Sequence, residues 1–204
     1  MEERLSERVY QCILHEIIEG TITVDSAFTE AELAQKYNVS RSPIREALYQ
    51  LCAEGVLKST PRVGYRITVT TPRYLQEVIR YRRTLECGYL SDYFDQIRED
   101  DIKKLRESIQ GFDGKSMENP LEYWGATMHF HLALAEIYQN QFYYESLKRL
   151  LIRQHVIFAS LYWQRWGLVS TAKCEDKHSK IIDAIEKKDK NLAVALLKQD
   201  IDSF

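Results

Sequence analysis

The chain contains 204 residues, which is enough for one large domain or two small ones. Its hydrophobic fraction of 45% is ordinary for a globular protein, and its formal net charge of −2 provides no overall basic excess of the kind that marks many nucleic-acid-binding proteins. No apolar run is long enough to span a bilayer and no signal-peptide pattern opens the chain, so we expect a cytoplasmic protein with no membrane partner.

The first predicted element is a helix between Leu5 and Ile18, where apolar residues recur at helical spacing. Gly20 follows as a typical helix stop. Residues 21–29 are rich in β-branched side chains but lack a helical period. They therefore favour a connector or a small strand.

A helix-turn-helix pattern comes next. Thr29 and Glu32 have the spacing of a capping box, which predicts the start of a short helix. Asn38-Val39-Ser40 is typical of the turn, because Asn tolerates left-handed backbone geometry and Ser is a good N-cap. Pro43 then lies in the first turn of a second helix, where its missing N–H costs nothing.

The second helix presents two different sides. Its predicted inward side consists of Ile44, Ala47, Leu48 and Leu51. Its outward side carries Arg41, Ser42 and Arg45, near the positive end of the helix dipole. From Lys36 to Arg66 there are six basic and two acidic residues, a local charge of +4. This pattern indicates a helix end that contacts phosphates and enters a DNA major groove.

Two alternating segments after this helix, residues 56–60 and 65–69, predict a β-hairpin. Pro61-Arg62-Val63-Gly64 forms the turn between them, and a hairpin in this position is a wing. Thr70-Thr71-Pro72 breaks the pattern. We therefore place a winged helix-turn-helix DNA-binding domain at 1–71 and a second domain, for effector binding and dimerisation, at 72–204.

The second domain is predicted to be helical throughout, since no strand pattern follows Val69. Its six predicted helices are Tyr74–Gln96, Arg98–Phe112, Pro120–Tyr138, Gln141–Trp166, Val169–Lys187 and Lys190–Ser203. The predicted fold is therefore mainly α: three helices and a small β-hairpin wing, joined to an all-α antiparallel bundle of about six helices that can enclose a ligand cavity.

The cysteines form no CxxC pair, and three of the four lie among apolar residues at helical spacing. Such a pattern predicts reduced thiols in the core rather than a disulfide framework. The four residues are Cys12, Cys52, Cys87 and Cys174.

The run from Val39 to Leu48 resembles, almost residue for residue, the recognition-helix signature of the GntR family of transcription regulators. Leu51–Leu57 and the wing around Gly64 are similar as well. In the second half, Arg82–Glu86, Phe130-His131, and His178 followed by Ile181–Ile185 resemble the all-helical FCD effector domain of the FadR-type subfamily. The resemblance covers nearly the whole chain.

This resemblance implies a homodimer that binds a palindromic double-stranded DNA operator and is controlled by a small acidic metabolite. Arg41 and Arg45 would read base edges through their forked donors, and Ser40 and Ser42 would hold phosphates. Gly64 would let the wing backbone approach the minor groove. Arg62 belongs to the same predicted surface, with a plain solvated charge as an equal alternative.

One departure concerns the first helix of the motif. Ala31 stands where many members of the family carry an arginine. The base preference or the affinity at one operator position is therefore expected to differ from theirs.

The resemblance also implies a divalent metal site, which in this group is built from one aspartate and three histidines. The matching positions here are Thr127, His131, His178 and Asp200. Two histidines and an aspartate can hold zinc, nickel or manganese, whereas a neutral threonine is a poor ligand. Either the site binds metal more weakly than relatives that have all four ligands, or prefers another metal, or it has lost metal and binds its effector through hydrogen bonds alone.

The predicted effector-binding residues are Arg82, Thr127, His131 and His178. Arg82 precedes Glu86 by four residues, so it is expected either to pair with a carboxylate effector or to form an intrahelical pair with Glu86. His129 is two residues from His131, so it is expected to point to a different helix face and not to be a ligand, whereas His155 is expected to have a packing role. The alternative function, a metal-dependent enzyme using His131, His178 and Asp200, lacks a recognisable general base or nucleophile motif and leaves the winged helix unexplained.

Overall fold

A computed structural model of the chain describes residues 4–110, 120–162 and 177–203. These residues divide into two compact units, one formed by 4–72 with 155–162 and the other by 73–154 with 177–203. None of the helices in the described ranges combines the length and the apolar character that a bilayer span requires. The chain is mainly α, with an N-terminal winged helix-turn-helix, as predicted.

The first unit is built on three helices: α1 (Leu5–Ile18), α2 (Glu30–Tyr37) and α3 (Arg41–Ala53). Both α1 and α2 pack against α3. The apolar positions predicted from helical spacing in α3 are all buried, and they form the core together with the apolar face of α1: Val9, Ile13, Ile17, Ile44, Ala47, Leu48 and Leu51. The outward residues of α3 are left on the surface.

Local sequence signals determine where α2 begins and ends. The Thr29 hydroxyl accepts the Glu32 backbone N–H, and the Glu32 carboxylate accepts the Thr29 backbone N–H at 2.7 Å, so the predicted capping box is present. Asn38 ends the helix at φ 53, in the left-handed region that asparagine tolerates. The turn before α3 therefore has the predicted geometry.

Ser40 precedes α3 at the N-cap position, but its side chain makes no capping hydrogen bond. A capping side chain bonds to the backbone N–H two or three residues ahead. The residue three ahead is Pro43, which has no N–H. The Ser40 hydroxyl is thus not used by the helix, and the residue is exposed.

The wing is an antiparallel hairpin of β1 (Leu57–Thr60) and β2 (Gly64–Ile67), in which Leu57 pairs with Ile67 and Thr60 with Gly64. Both strands are shorter than predicted. Phe28, in the segment expected to be a connector or small strand, forms one isolated β-bridge with Tyr65. Their backbones exchange two hydrogen bonds, of 3.1 and 2.8 Å. This bridge ties the wing to the residues that lead into α2.

The described part of the second unit contains helices only, namely α4 (Pro72–Tyr93), a 3₁₀ turn (Phe94–Gln96), α5 (Glu99–Ser108), α6 (Pro120–Ile137), α7 (Gln141–Tyr162), α8 (Lys177–Glu186) and α9 (Lys190–Ile201). The last eight residues of α7 belong to the first unit. The α5 helix packs against α6 and α8, and α8 packs against α9. The predicted breaks at Gly111/Gly114 and Gly167 and the start of the predicted helix at Val169 lie outside the described residues.

Cys12, Cys52 and Cys87 are free thiols. The core position expected for them is wrong for Cys12, which is exposed, and is met only in part by Cys52 and Cys87, which are half-buried. In α1 the buried positions on either side of Cys12 are Tyr10 and Ile13, so the core-facing side of the helix passes it by. Cys174 lies outside the described residues.

The fold requires glycine at position 64, because of the backbone conformation there and the close approach of Phe28. Its φ is +108°, and an added Cβ would come within 2.4 Å of the Phe28 carbonyl oxygen. We expect Gly64→Ala to lower the free energy of unfolding by about 2 kcal/mol or more, because the backbone strain alone costs about 1–3 kcal/mol. Urea titration measures the loss, and hydrogen exchange of the hairpin amides should show where protection disappears.

Gly88→Ala provides the matched control. Gly88 lies inside α4 and has an ordinary φ, and no atom is within 4 Å of its added Cβ. This substitution should stabilise the protein by about 0.5–1 kcal/mol, since alanine is the better helix former. Equal effects of the two substitutions would contradict the assigned role of the Phe28 bridge.

Candidate functional site

The predicted DNA-contacting residues lie on the surface of the first unit. Arg41, Ser42 and Arg45 are exposed on α3, on the side opposite its buried apolar residues. Arg62 is exposed in the hairpin turn at φ 65, and Gly64 follows it at the start of β2. The structure thus leaves the forked donors of α3 accessible to a large partner.

Arg45 is held in a defined orientation by Glu30, the first residue of α2. Its Nε lies 3.1 and 3.2 Å from the two Glu30 carboxylate oxygens, and its Nη2 lies 2.9 Å from Oε2. These hydrogen bonds, together with the charge of Arg45, lower the pKa of Glu30. The contact uses the side-on fork of the guanidinium, so the end-on edge at Nη1 and Nη2 stays available to a further acceptor.

The wing takes part in the same arrangement, because the Tyr65 hydroxyl donates to Glu30 Oε1 at 3.4 Å. Sequence reasoning missed Glu30. An acidic residue in the first turn of a helix is already explained by the helix dipole. Glu30 and Arg45 are 15 residues apart, and no short-range spacing rule pairs side chains at that separation.

A second candidate site lies inside the helical unit, where His131 of α6, His178 of α8 and Asp200 of α9 converge. One ligand atom from each lies within 4.8 Å of the others. His131 Nε2 is 3.1 Å from Asp200 Oδ2, and His178 Nε2 is 3.7 Å from the same oxygen. His131 and Asp200 are buried, and the His178 side chain is 15% exposed. The three predicted metal ligands are therefore brought together.

A chain of buried charges extends from this cluster into α4. His131 Nδ1 faces Glu86 Oε2 at 2.6 Å, and Glu86 Oε1 accepts from Arg82 Nε at 2.5 Å. Arg82 and Glu86 are 0% and 1% exposed. Of the two expectations for Arg82, the intrahelical pair with Glu86 is present. Glu86 was missed as a partner of His131, because the two residues are 45 positions apart.

The charges in this cluster shift the pKa values of Glu86, His131 and Asp200. Burial raises the pKa of Glu86, but the charges and hydrogen bonds of Arg82 and His131 outweigh it and leave the pKa below its usual value. Burial and Arg82 lower the pKa of His131, but Glu86 and Asp200 raise it above its usual value. His131 and His178 likewise hold the pKa of Asp200 far below normal, against the effect of burial. The two carboxylates are therefore ionised.

The geometry of the cluster fits a divalent metal ion. The distance from His178 Nε2 to Asp200 is too long for a hydrogen bond, and no described residue offers this buried nitrogen another partner. Burial lowers the pKa of His178, which favours the neutral imidazole that metals bind. Atoms bound to one tetrahedral zinc ion lie roughly 3.4 Å apart, close to the two measured distances.

The remaining predicted positions differ in what they contribute. Thr127 is buried one helical turn before His131 on α6. His129 is exposed whereas His131 is buried, so the two lie on different faces of α6, and His155 is buried in α7, consistent with a packing role. Glu86 is placed to orient His131: a carboxylate only accepts hydrogen bonds, so Nδ1 carries the proton and Nε2 is the nitrogen directed at the cluster.

Comparison with protein families identifies both parts of the chain. Residues 5–67 match the family of bacterial regulatory proteins named gntR, and residues 77–203 match the FCD domain. The second match alone covers more than half of the 204 residues.

Individual relatives agree with this assignment. The chain is 28% identical over 183 residues to the uncharacterized HTH-type transcriptional regulator YdhC of Bacillus subtilis (strain 168), covering 87% of this chain and 79% of the relative. It is 24% identical over 206 residues to a probable D-xylose utilization operon transcriptional repressor of Paenarthrobacter nicotinovorans, covering 98% and 87%. The solved structure of McbR/YncC from E. coli shares the fold, with a TM-score of 0.78 at 18% identity over 99% of this chain and 95% of the other.

These relatives are transcription regulators, which decides against the alternative of a metal-dependent enzyme. The chain belongs to the GntR family of bacterial transcription regulators and carries an FCD domain after its winged helix-turn-helix.

Proposed function

We propose that this regulator is a cytoplasmic homodimer that binds a palindromic operator through α3 and the wing, and that a small acid bound in the helical unit controls it. The observation that carries the DNA-binding part is the exposed start of α3, where Arg41 and Arg45 stand free of the core and Arg45 is oriented by Glu30. The Paenarthrobacter relative is a probable transcriptional repressor, which favours repression.

The roles of the DNA-contacting residues follow from their surroundings. The end-on edge of Arg45 offers two parallel donors, which match the O6 and N7 acceptors of guanine. Arg41 lies one helical turn earlier on the same exposed side. The Ser40 hydroxyl, which the helix does not use, is free to donate to a phosphate at the α3 N-terminus, and Ser42 is exposed beside it.

Selection of bound sequences from a random pool of double-stranded DNA tests the proposal directly. The expected product is a palindrome bound by two chains, because a two-fold symmetric dimer reads two equal half-sites. Affinity for it should fall steeply as salt rises, since the basic residues displace counterions. Recovery of no preferred sequence, or of a single unpaired half-site at one chain per duplex, would refute the homodimer on a palindrome.

Arg45→Lys separates base reading from simple charge. Lysine keeps the positive charge but loses the fork, so affinity for the selected operator should fall on the order of 10- to 100-fold while affinity for random DNA stays the same. Fluorescence anisotropy titrations with both duplexes measure the two affinities. The control, Arg73→Lys, changes an exposed arginine of α4 and should alter neither.

Glu30→Gln tests whether the carboxylate positions Arg45. The amide keeps the side-chain shape but removes the charge that holds the guanidinium. We expect the ratio of operator affinity to random-DNA affinity to fall, because Arg45 then samples several orientations and one negative charge near the phosphates is gone. The same pair of titrations measures it. An unchanged ratio would rule out a positioning role for Glu30.

For the helical unit we propose that His131, His178 and Asp200 hold a divalent ion, with zinc, nickel and manganese as the metals that suit two imidazoles and one carboxylate. Two observations support this: His178 Nε2 has no hydrogen-bond partner in the part of the chain that the structure describes, and the three donors are suitably spaced. When bound, such an ion supplies positive charge and open coordination positions for an oxygen of the acidic effector. Arg82 and Thr127, together with the two histidines, are proposed to contact that effector.

His178→Ala tests the ion site. Dialysis against zinc followed by elemental analysis should give about one zinc per chain for the wild type, and zinc affinity at least about 10-fold weaker for the variant, since one of three protein ligands is lost. His129→Ala removes an exposed histidine of α6 and should keep the wild-type metal content. Equal zinc in all three proteins would show that this cluster is not the metal site.

A further inference from the structure

Gln154 of α7 is a fully buried polar residue that sequence reasoning did not single out. Its Oε1 accepts a hydrogen bond from Arg82 Nη1 at 3.3 Å, across 72 positions of sequence. Its other polar atom, Nε2, carries two N–H groups. Among the described residues, Nε2 finds no hydrogen-bond partner.

The orientation of this amide follows from the chemistry of its neighbour. A guanidinium has only donors, so the oxygen of Gln154 and not the nitrogen must face Arg82. Turning the amide over would oppose two donors and lose the hydrogen bond to Arg82. Among the described residues, the nitrogen is therefore the atom without a partner, and buried side-chain amides nearly always have one.

Gln154 is continuous with the candidate metal cluster. Arg82 donates to both Gln154 and Glu86, Glu86 accepts from His131, and His131 faces Asp200. Gln154 and Glu86 are therefore both bonded to the guanidinium of Arg82, and Glu86 in turn orients His131, a proposed metal ligand. Arg82 is itself a proposed effector contact, so Gln154 is hydrogen-bonded to one side chain of the proposed effector site.

We propose that Gln154 is an effector-binding residue, whose side-chain N–H₂ donates to an oxygen of the bound acid; this rests on the effector site proposed above. The ligand class follows from the donors. An oxygen acceptor beside Arg82 gains from carrying negative charge, so it belongs to a carboxylate. The ligand is small, because Arg82, Gln154 and His131 are all fully buried.

A purely structural role for Gln154 makes a different prediction. If its only task were to support Arg82, the amide nitrogen would contribute nothing, and Gln154→Glu would serve equally well because it keeps an acceptor for the guanidinium. If the nitrogen binds the effector, Gln154→Glu must abolish that contact. Gln154→Met adds no charge, but it removes the acceptor for Arg82 together with the N–H₂ donor. Gln154→Glu keeps that acceptor, so a loss of acid binding that is common to both variants is assigned to the N–H₂ donor.

The experiment uses four proteins: wild type, Gln154→Glu, Gln154→Met and the control Gln76→Glu, which adds the same charge at an exposed position of α4. Each is loaded with zinc and titrated calorimetrically with acetate, glycolate, succinate and tartrate, which vary the number of carboxylates and hydroxyls. The acid that binds wild type most tightly should bind both Gln154 variants about 10-fold or more weakly, and Gln76→Glu unchanged.

A second readout follows the amide itself in the wild type. Its side-chain N–H₂ resonances are assigned by their absence from the Gln154→Glu spectrum, so the assignment does not depend on the Met variant folding. They should shift as the acid is added. Unshifted resonances, equal affinity of Gln154→Met and wild type, or no binding of any of the four acids by wild type would each overturn the proposal.

A measurement of operator binding distinguishes a wrong assignment of Gln154 from a failure of the proposed regulator function. Gel-shift titration of the four proteins without acid should show the selected operator bound equally well. If operator binding holds while the acid results fail, the assignment of Gln154 is wrong and the regulator proposal stands. If the wild type binds no operator, the proposed function itself fails.

Discussion

The buried charge chain from Arg82 through Glu86 and His131 to Asp200 is the constraint on which the helical unit depends. Removing one partner from a buried ion pair costs about 3–5 kcal/mol, because the remaining charge is left uncompensated. The chain of contacts links α4, α6 and α9, so the placement of these helices has to satisfy all four side chains at once. That placement leaves His178 beside Asp200 without a full hydrogen bond, and the residues that fix the helices thereby also create an incompletely satisfied site.

In the first unit, the main polar contact holds the exposed Arg45 against Glu30 in one orientation. Surface ion pairs contribute little to stability, so the contact between Glu30 and Arg45 matters for direction rather than for folding. Tyr65 contacts the same carboxylate from the wing, and the bridge between Phe28 and Tyr65 keeps the wing next to the start of α2. Gly64 is required by this bridge, independently of any approach to DNA.

Short-range patterns predicted the elements well, because their causes are local. The capping box joins Thr29 to Glu32, three positions away, and the left-handed geometry at Asn38 follows from the preference of that residue. The apolar period likewise predicted α1 from neighbouring turns of the same helix. Contacts between distant residues had no such signal. The partnership of Glu86 with His131 requires the tertiary fold, and the spacing of Arg82 and Glu86 was compatible with two outcomes. The grouping of His131, His178 and Asp200 came from the family resemblance and not from spacing.

The balance of charge in the cluster gives a physical reason to propose one shared site for a cation and an acid. Glu86 and Asp200 are ionised, and His131 lies between them, while burial favours the neutral form of His178. An acid that entered this arrangement would meet two carboxylates and would find donors chiefly on the side of Arg82 and Gln154. A divalent cation held by the two histidines and Asp200 would make the local net charge that the acid meets less negative, or positive. If both proposals hold, the affinity for the acid and the affinity for the ion are linked through the same few side chains, and neither is a property of one residue.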